Sequence, residues 1–240
     1  MALPMMNTPT YSLVIPSTGE KVRYRPFLVK EEKALLIAQQ SEETEVMVES
    51  LKQVIGGCVL DKINVDDLAT FDIEYIFTQI RAKSVGEIVE LLFPCDEDHG
   101  EDQDKAKLKI SIDISNLEVE FPEGHSKKID LFGDVGVVMK YPSFNVMSKL
   151  ENLDITNVDN IFDVIASCID IIYQGEEIYY AKEQSKEELL DFLYNLTNDQ
   201  FVKLQQFFAK MPKISKKVEY NCPLCGKHHS VTLEGMQSFF

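Results

Sequence analysis

The sequence predicts an α+β fold, in which antiparallel β-hairpins enclose a cluster of amphipathic helices. Residues near both ends of the chain alternate between apolar and polar types, which is typical of half-buried strands. Between these ends, apolar residues recur at helical spacing, and two Ser/Thr capping boxes mark helix starts in the second half. Helices grouped between hairpins indicate the α+β class.

The N-terminal segment is predicted to form a hairpin followed by three helices. Residues 11–27 alternate on both sides of a Ser-Thr-Gly turn, as in a β-hairpin. Apolar residues at helical spacing in residues 28–57 predict two helices that separate near Ser41 and stop at a Gly-Gly pair. Residues 71–84 place isoleucine and phenylalanine at i, i+3, i+4 and i+7, which predicts a third helix.

Strands are predicted in the middle of the chain. Residues 86–95 and 106–121 are expected to be strands on either side of an acidic loop. Residues 127–142 predict two shorter strands joined by a glycine-containing turn.

The second half is predicted to be mainly helical. Residues 158–173 place apolar side chains along one broad face, which predicts a helix over this segment. Ser185 with Glu188, and Thr197 with Gln200, form capping boxes in which side chains satisfy the free N–H groups of a helix start. Each box is expected to open an amphipathic helix.

A length of 240 residues suits two small domains or one large domain. The predicted division is residues 1–127, with the hairpin, helices and central β-loop, and residues 128–240, with the helical half and a C-terminal hairpin. The alternative is a single continuous domain. Ala-Lys precedes Cys95 by the same distance as it precedes Cys222, and either a degenerate duplication or coincidence explains this similarity.

The charge of the chain limits the classes of partner. The chain has 24 Lys and Arg against 40 Asp and Glu, so its formal net charge is −16. Such a surface repels a phosphate backbone, which makes general nucleic-acid binding an unfavoured interpretation. The N-terminus shows no signal peptide, and the most apolar window is too short and too interrupted by aspartate to span a bilayer. We therefore expect a cytoplasmic protein without a membrane span.

The C-terminal stretch YNCPLCGKHHSVTLEG has the form of a zinc knuckle, with predicted strands at residues 214–221 and 229–233 around it. A tight turn through proline and glycine directs the thiols of Cys222 and Cys225 at one point, and His228 or His229 can supply a third ligand. Structural zinc needs four ligands, so the fourth is expected from the central acidic loop. Cys95 and His99 are the candidates there.

Two interpretations of this motif stay open. Either the knuckle binds a structural zinc ion that stabilises the local fold, or it is a knuckle-shaped turn with reduced cysteines and no metal. A redox role for the Cys-x-x-Cys pair is less favoured, because that motif normally begins a helix and alternating, strand-like residues follow here. An odd total of five cysteines also argues against a disulfide framework.

Enzyme signatures are mostly absent from the sequence. It contains no G-x-G-x-x-G, P-loop, G-x-S-x-G or H-E-x-x-H motif, and we expect no catalytic residues and no enzymatic activity. Lysines surround the knuckle at positions 210, 213, 216, 217 and 227. They motivate an alternative function, a zinc-knuckle nucleic-acid-binding regulator, although a charged strand face is the default explanation for them. A hydrolase or thiol oxidoreductase is a third hypothesis.

Three segments in this order resemble the baseplate hub and tail-assembly family of T-even-type contractile-tailed bacteriophages. They are LVIPSTGEKVRYRPFLVKEEKALLIA, SVGEIVELLFPC and YNCPLCGKHHSVTLEG, of which RPFLVKEEK is the most characteristic part. The resemblance covers essentially the whole chain. One departure is the central loop, which has Cys95-Asp-Glu-Asp-His99 where a second Cys-x-x-Cys could stand, and this argues against a separate first zinc site.

The resemblance implies a non-enzymatic virion-assembly role. A member of this family is expected to be made in the host cytoplasm, to contact hub or tape-measure proteins, and to act as a hub subunit in the tail baseplate or as a transient assembly factor. These two roles and the oligomeric state stay open.

Overall fold

The computed structural model describes residues 7–41, 43–143, 146 and 158–239, except for the side chains of residues 44, 45, 158 and 237. Antiparallel sheets and helices together confirm the predicted α+β class. None of the helices in this described part is long and apolar enough to cross a membrane.

The chain divides into two compact units. Unit 1 comprises the described residues of Met1–Val65, Phe71–Glu120 and Lys213–Phe240, and unit 2 comprises those of Asp66–Thr70 and Phe121–Pro212. This division differs from the predicted boundary between residues 127 and 128, which placed the C-terminal hairpin with the helical half. The difference arises because Ile214 pairs with Val119, so the C-terminal strands join a sheet of the N-terminal segment.

Unit 1 begins with a hairpin and three helices. Its helices and strands are β1 Tyr11–Val14, β2 Lys21–Tyr24, α1 Val29–Ser41, α2 Thr44–Cys58 and α3 Thr70–Ser84, the first residue of α3 falling in unit 2. The predicted hairpin and all three helices are confirmed. Helix α2 continues through the Gly-Gly pair by one residue beyond its predicted end.

Two further hairpins complete unit 1. One consists of β3 Ile88–Phe93 and β4 Leu108–Asp113; the other consists of β10 Lys213–Asn221 and β11 His228–Glu234 and extends into a three-stranded sheet through β5 Val119–Glu120. The strands of both hairpins confirm their predictions. Apolar side chains from β3, β4 and β10 pack into one core with α3, which brings the two hairpins together.

The described residues of unit 2 form a four-stranded antiparallel sheet and three longer helices. The strands follow one another as β6 Lys128–Phe132, β7 Val135–Met139, β8 Ile169–Gln174 and β9 Glu177–Tyr180; the helices are α4 Val158–Ser167, α5 Lys186–Tyr194 and α6 Asn198–Ala209. Both capping boxes form with both of their hydrogen bonds, as predicted. Leu204, Phe207 and other apolar helix residues pack on the sheet.

One predicted helix is wrong over its last six residues. The segment 158–173 is helical to Ser167 and then enters β8 at Ile169. Isoleucine and tyrosine favour strands, and β8 gains hydrogen-bonded partners on both sides from β7 and β9. Pairing within the sheet therefore outweighs the helical spacing of the apolar residues. The apolar strand β9 has no counterpart among the predicted elements.

Candidate metal centre

The first loop of the candidate centre follows β3. Cys95 is buried, and the N–H of Glu97 lies 3.4 Å from its Sγ. Gln103 holds this loop together, because it accepts a hydrogen bond from the N–H of His99 at 2.8 Å and donates one to the carbonyl of Cys95 at 3.2 Å. The loop therefore fixes Cys95 and His99 relative to each other.

The second loop joins β10 to β11 and has the same local arrangement. Cys222 is buried, and the N–H of Leu224 lies 3.4 Å from its Sγ. Gly226 donates its N–H to the carbonyl of Cys222 at 3.0 Å and has φ of +73°, a left-handed conformation that favours glycine. In both loops an N–H two residues after the cysteine points at its sulfur. This likeness adds to the internal similarity in the sequence, and the duplication stays a prediction.

Two side chains connect the loops within unit 1. The hydroxyl of Tyr220 donates to the carbonyl of Pro94 at 2.7 Å. The ammonium of Lys227 pairs with Asp96 at 3.0 Å and with Glu97 at 2.6 Å. The carboxylates of the acidic loop thus face a lysine of the knuckle.

Four potential ligand atoms meet where the loops meet. One atom each of Cys95, His99, Cys222 and Cys225 lies within 4.8 Å of the other three. The Sγ atoms of Cys95 and Cys225 are 3.8 Å apart, and Sγ of Cys222 is 3.6 Å from Nε2 of His99. A disulfide is therefore absent between Cys95 and Cys225, because its sulfurs would be about 2.05 Å apart.

These distances suit a metal ion with tetrahedral coordination. A tetrahedron with Zn–S bonds of about 2.3 Å and Zn–N bonds of about 2.0–2.1 Å has S···S edges of about 3.8 Å and S···N edges of about 3.6 Å. The separations between Cys95 and Cys225 and between Cys222 and His99 match two of the six edges of this tetrahedron. The cluster can therefore hold a metal ion, and its three sulfurs and one imidazole nitrogen are a set that soft or borderline metals prefer.

The local electrostatics prepare one sulfur as a thiolate. Burial opposes ionisation of Cys222, but the N–H groups of Cys225 and Leu224 and the neighbouring thiols outweigh it and lower its pKa to about 6. Burial raises the pKa of Cys95 to about 11, and the Glu97 N–H only partly opposes this. A thiolate is the metal-binding form of cysteine, so the lowered pKa of Cys222 favours the form that binds a metal.

The structure places the two knuckle histidines outside this four-residue group. The ring of His229 stacks on Tyr220 at 4.9 Å, and its Nδ1 lies 3.5 Å from Asp96. His229, Asp96 and Cys95 form a second, three-residue group that could hold a metal ion. His228 is exposed and its Nδ1 lies 3.1 Å from the amide oxygen of Asn221. Both candidates from the central loop, Cys95 and His99, join the four-residue group instead.

The sequence did not predict the contacts that Gln103, Tyr220 and Lys227 make at the centre. Gln103 holds the Cys95 loop together, and Tyr220 and Lys227 connect the two loops. The inward direction of Tyr220 was predictable from the sequence, because Tyr220 lies two residues after Val218 in β10 and so shares its buried face. The contacts of Gln103 and Lys227 depend on loop conformations that no periodicity encodes.

Comparisons with known proteins agree over nearly the whole chain. A family model described as T4 bacteriophage base plate protein matches residues 8–240. The baseplate hub assembly protein gp26 of Enterobacteria phage T4 is 26% identical over 226 residues, which cover 92% of this chain and 94% of that protein. No solved structure gives a significant match. Because the family match extends over the hairpins, the helices and both cysteine loops, the chain belongs to the family of T4 bacteriophage base plate proteins.

Proposed function

We propose that this protein takes part in assembly of the phage baseplate hub through protein–protein contacts and without catalysis. The observation that carries the proposal is the end-to-end similarity to a relative named as a baseplate hub assembly protein. Its partners are other tail proteins of the hub or tape-measure type. Contact with them takes place in the host cytoplasm, and the protein then resides in the baseplate or leaves it.

Interruption of the gene in its phage tests this role. We expect infected cells to accumulate tail parts without complete hubs, and a plasmid copy of the chain to restore infectious particles. Pull-down of the tagged full chain from infected cells should recover hub or tape-measure proteins. Complete, infectious tails from the interrupted phage would refute the role. Mass spectrometry of purified particles then distinguishes a resident subunit from a factor that leaves.

The nucleic-acid alternative loses part of its support, because three of the five lysines that motivated it form ion pairs. Among the lysines that motivated it, Lys213 pairs with Glu234, Lys217 with Glu219, and Lys227 with two carboxylates of the acidic loop. Paired lysines are poor phosphate ligands, because their charge is already compensated. A gel shift with single-stranded DNA at low salt should show no retardation.

For the metal centre, we propose a structural zinc ion held by Cys95, His99, Cys222 and Cys225. The match of the measured separations to a zinc tetrahedron supports this, and so does the closed set of four protein ligands, which leaves no position for a substrate. The ion would connect the two hairpins of unit 1, and the free energy of metal binding would then contribute to folding.

Metal analysis of the purified full chain tests this site. We expect about one zinc per chain, as a four-ligand structural site requires. The variants Cys95→Ser and Cys222→Ser should lose it. Cys58→Ala and Cys168→Ala, which change cysteines outside the cluster, should retain it. Metal-free protein with hydrogen-exchange protection of β10 and β11 intact would refute the proposal, with the amides of β6–β9 in unit 2 as the internal reference.

A further inference from the structure

Unit 2 contains a cavity of about 200 Å³ that the proposed baseplate role does not use. It lies between the segment preceding β6 and helix α6. The residues that matter for its chemistry are His125, Lys128, Lys203, Gln206, Phe207 and Lys210. The cavity is smaller than the about 300–1,000 Å³ typical of cofactor and drug-sized ligands, so it suits side chains of a peptide better than a cofactor.

Two aromatic rings, those of His125 and Phe207, line the cavity. The ring of His125 stacks on Phe207 at 5.2 Å and on Tyr141 at 5.6 Å. Nε2 of His125 lies 2.9 Å from the Tyr141 hydroxyl, whereas its buried Nδ1 has no hydrogen-bond partner in the described part of the chain. When the Tyr141 hydroxyl donates to Nε2, Nδ1 carries a proton and lacks an acceptor.

The charged residues that line the cavity are all basic, although the chain as a whole carries a net charge of −16. Lys128, Lys203 and Lys210 line the cavity, and neither aspartate nor glutamate does. None of the three lysines forms an ion pair with a described carboxylate. The ammonium of Lys203 donates to the carbonyls of Asp130 and Leu131 at 2.8 and 3.0 Å, and that of Lys128 lies 5.0 Å from the centroid of the Tyr173 ring. Burial and the positive charges of Lys127 and Lys210 lower the pKa of His125.

We propose that this cavity binds carboxylate side chains from an acidic segment of a partner protein. The lysine ammonium groups would pair with the carboxylates, and the rings of His125 and Phe207 would contact the methylene groups. Charge complementarity favours this occupant: an acidic segment is repelled by the net negative charge of the chain and attracted by a group of cations without counter-ions. The inference stands independently of the baseplate role.

Titration of the full-length protein with an acetylated and amidated hexaglutamate peptide tests the proposal. Histidine NMR signals are assigned with His→Gln variants. We expect the His125 signals to shift during the titration and those of His228, in unit 1, to stay in place. Lys210→Met should weaken binding at least tenfold, because each charge-assisted contact to a carboxylate contributes on the order of a tenfold change in affinity. Lys203→Met serves as a second variant.

The matched control is Lys216→Met, which removes the same charge from the surface of unit 1 and should leave the affinity unchanged. No shift of the His125 signals at millimolar peptide overturns the proposal. Equal weakening by the Lys216 and Lys210 changes also overturns it, because the attraction would then be general. A second titration uses inorganic phosphate. Binding of phosphate as tight as that of the peptide would assign the cavity to a phosphate ligand and refute an acidic segment as its occupant.

Discussion

The guanidinium of Arg25 and the carboxylate of Glu31 form an ion pair of 2.8 Å, with 13% and 8% of their side chains exposed. Arg25 also donates to the carbonyl of Gly57 at 2.7 Å, and the N–H of Leu28 donates to Glu31 at 2.8 Å. The pair therefore connects the end of the first hairpin, the start of α1 and the end of α2. Both residues belong to RPFLVKEEK, the segment most characteristic of the family resemblance. The ion pair gives two residues of this segment a structural role.

Loss of this pair should destabilise unit 1. Glu31→Ala leaves Arg25 buried without its counter-ion, and breaking a buried pair in this way typically costs about 3–5 kcal/mol. Native-state hydrogen exchange of the α2 amides measures the loss. Glu32→Ala makes the same change at an exposed neighbour and should stay within about 0.5 kcal/mol of the unchanged protein. Equal effects of both substitutions would contradict the prediction.

The same pair predicts sensitivity to acid. Burial would raise the pKa of Glu31, but Arg25 and the Leu28 N–H together hold it below the ordinary value of 4.5. A carboxyl whose pKa is lower in the folded state stabilises the fold above its unfolded pKa, and this contribution is lost as the pH falls through its folded pKa. Protection of the α2 amides should therefore decline below about pH 4.5. In Glu31→Gln, which has no charge to lose, this decline should be shallower.

Gly136 should not accept any side chain. It faces Tyr173 across β7 and β8, and a Cβ at Gly136 would lie 2.1 Å from the tyrosine hydroxyl oxygen and 2.6 Å from the carbonyl of Ile129. Gly136→Ala should therefore destabilise unit 2 by about 1–3 kcal/mol, the usual effect of overpacking. The protection of β7 and β8 amides measures it.

Gly56 provides the matched control. It lies in α2, where the nearest atom to an added Cβ is 3.9 Å away. Gly56→Ala should be neutral or should stabilise by about 0.5–1 kcal/mol, because alanine favours helices more than glycine does. Destabilisation of similar size at both positions would show that the contact with Tyr173 is not the cause.

Cobalt substitution should report the ligand set of the metal centre. Three thiolates and one imidazole around Co²⁺ should give the intense visible absorption of a tetrahedral thiolate site. His99→Cys would convert the set to four sulfurs and shift this band, whereas His228→Cys should leave it unchanged, since His228 points to Asn221. An unchanged band in the His99 variant would exclude His99 as a ligand.

The capping box of α5 should contribute measurably to unit 2. Ser185 accepts a hydrogen bond from the N–H of Glu188, whose carboxylate accepts one from the N–H of Ser185. Ser185→Ala should cost about 1 kcal/mol, and Ser185→Asp, which retains the cap, should cost less than half of that. Protection of the amides in the first turn of α5 separates the two. Equal losses in both variants would show that the hydroxyl itself does not cap the helix.

Local patterns in the sequence were sufficient for most helices and hairpins. The capping residues Ser185 and Thr197 predict their helix starts, because the signal lies within four residues. The strand at Ile169 was missed, because Ile165, Ile169 and Ile172 satisfy helical spacing and strand propensity alike. The strand is selected by pairing with β7 and β9, which lie outside the segment and leave no mark on its own residue pattern.

The candidate metal centre was predictable in part for a similar reason. Cys222 and Cys225 carry a local signal, and the need for four ligands points to the loop of Cys95. The preference for His99 over His228 could not be predicted, because it depends on the register that pairs His228 with Asn221 and His229 with Tyr220. That register places both histidines on a strand, away from the turn that holds the thiols.

The discontinuity of unit 1 has a consequence for the order in which this protein can be completed on the ribosome. Residues 121–212, most of unit 2, are synthesised as one uninterrupted stretch, whereas Cys95 and His99 emerge long before Cys222 and Cys225. Until β10 pairs with β5, two of the four candidate ligands lie in a chain whose three-stranded sheet has only β5 in place. A nascent chain that stops before residue 213 therefore carries an unfinished centre, and only translation through the second cysteine loop can close it.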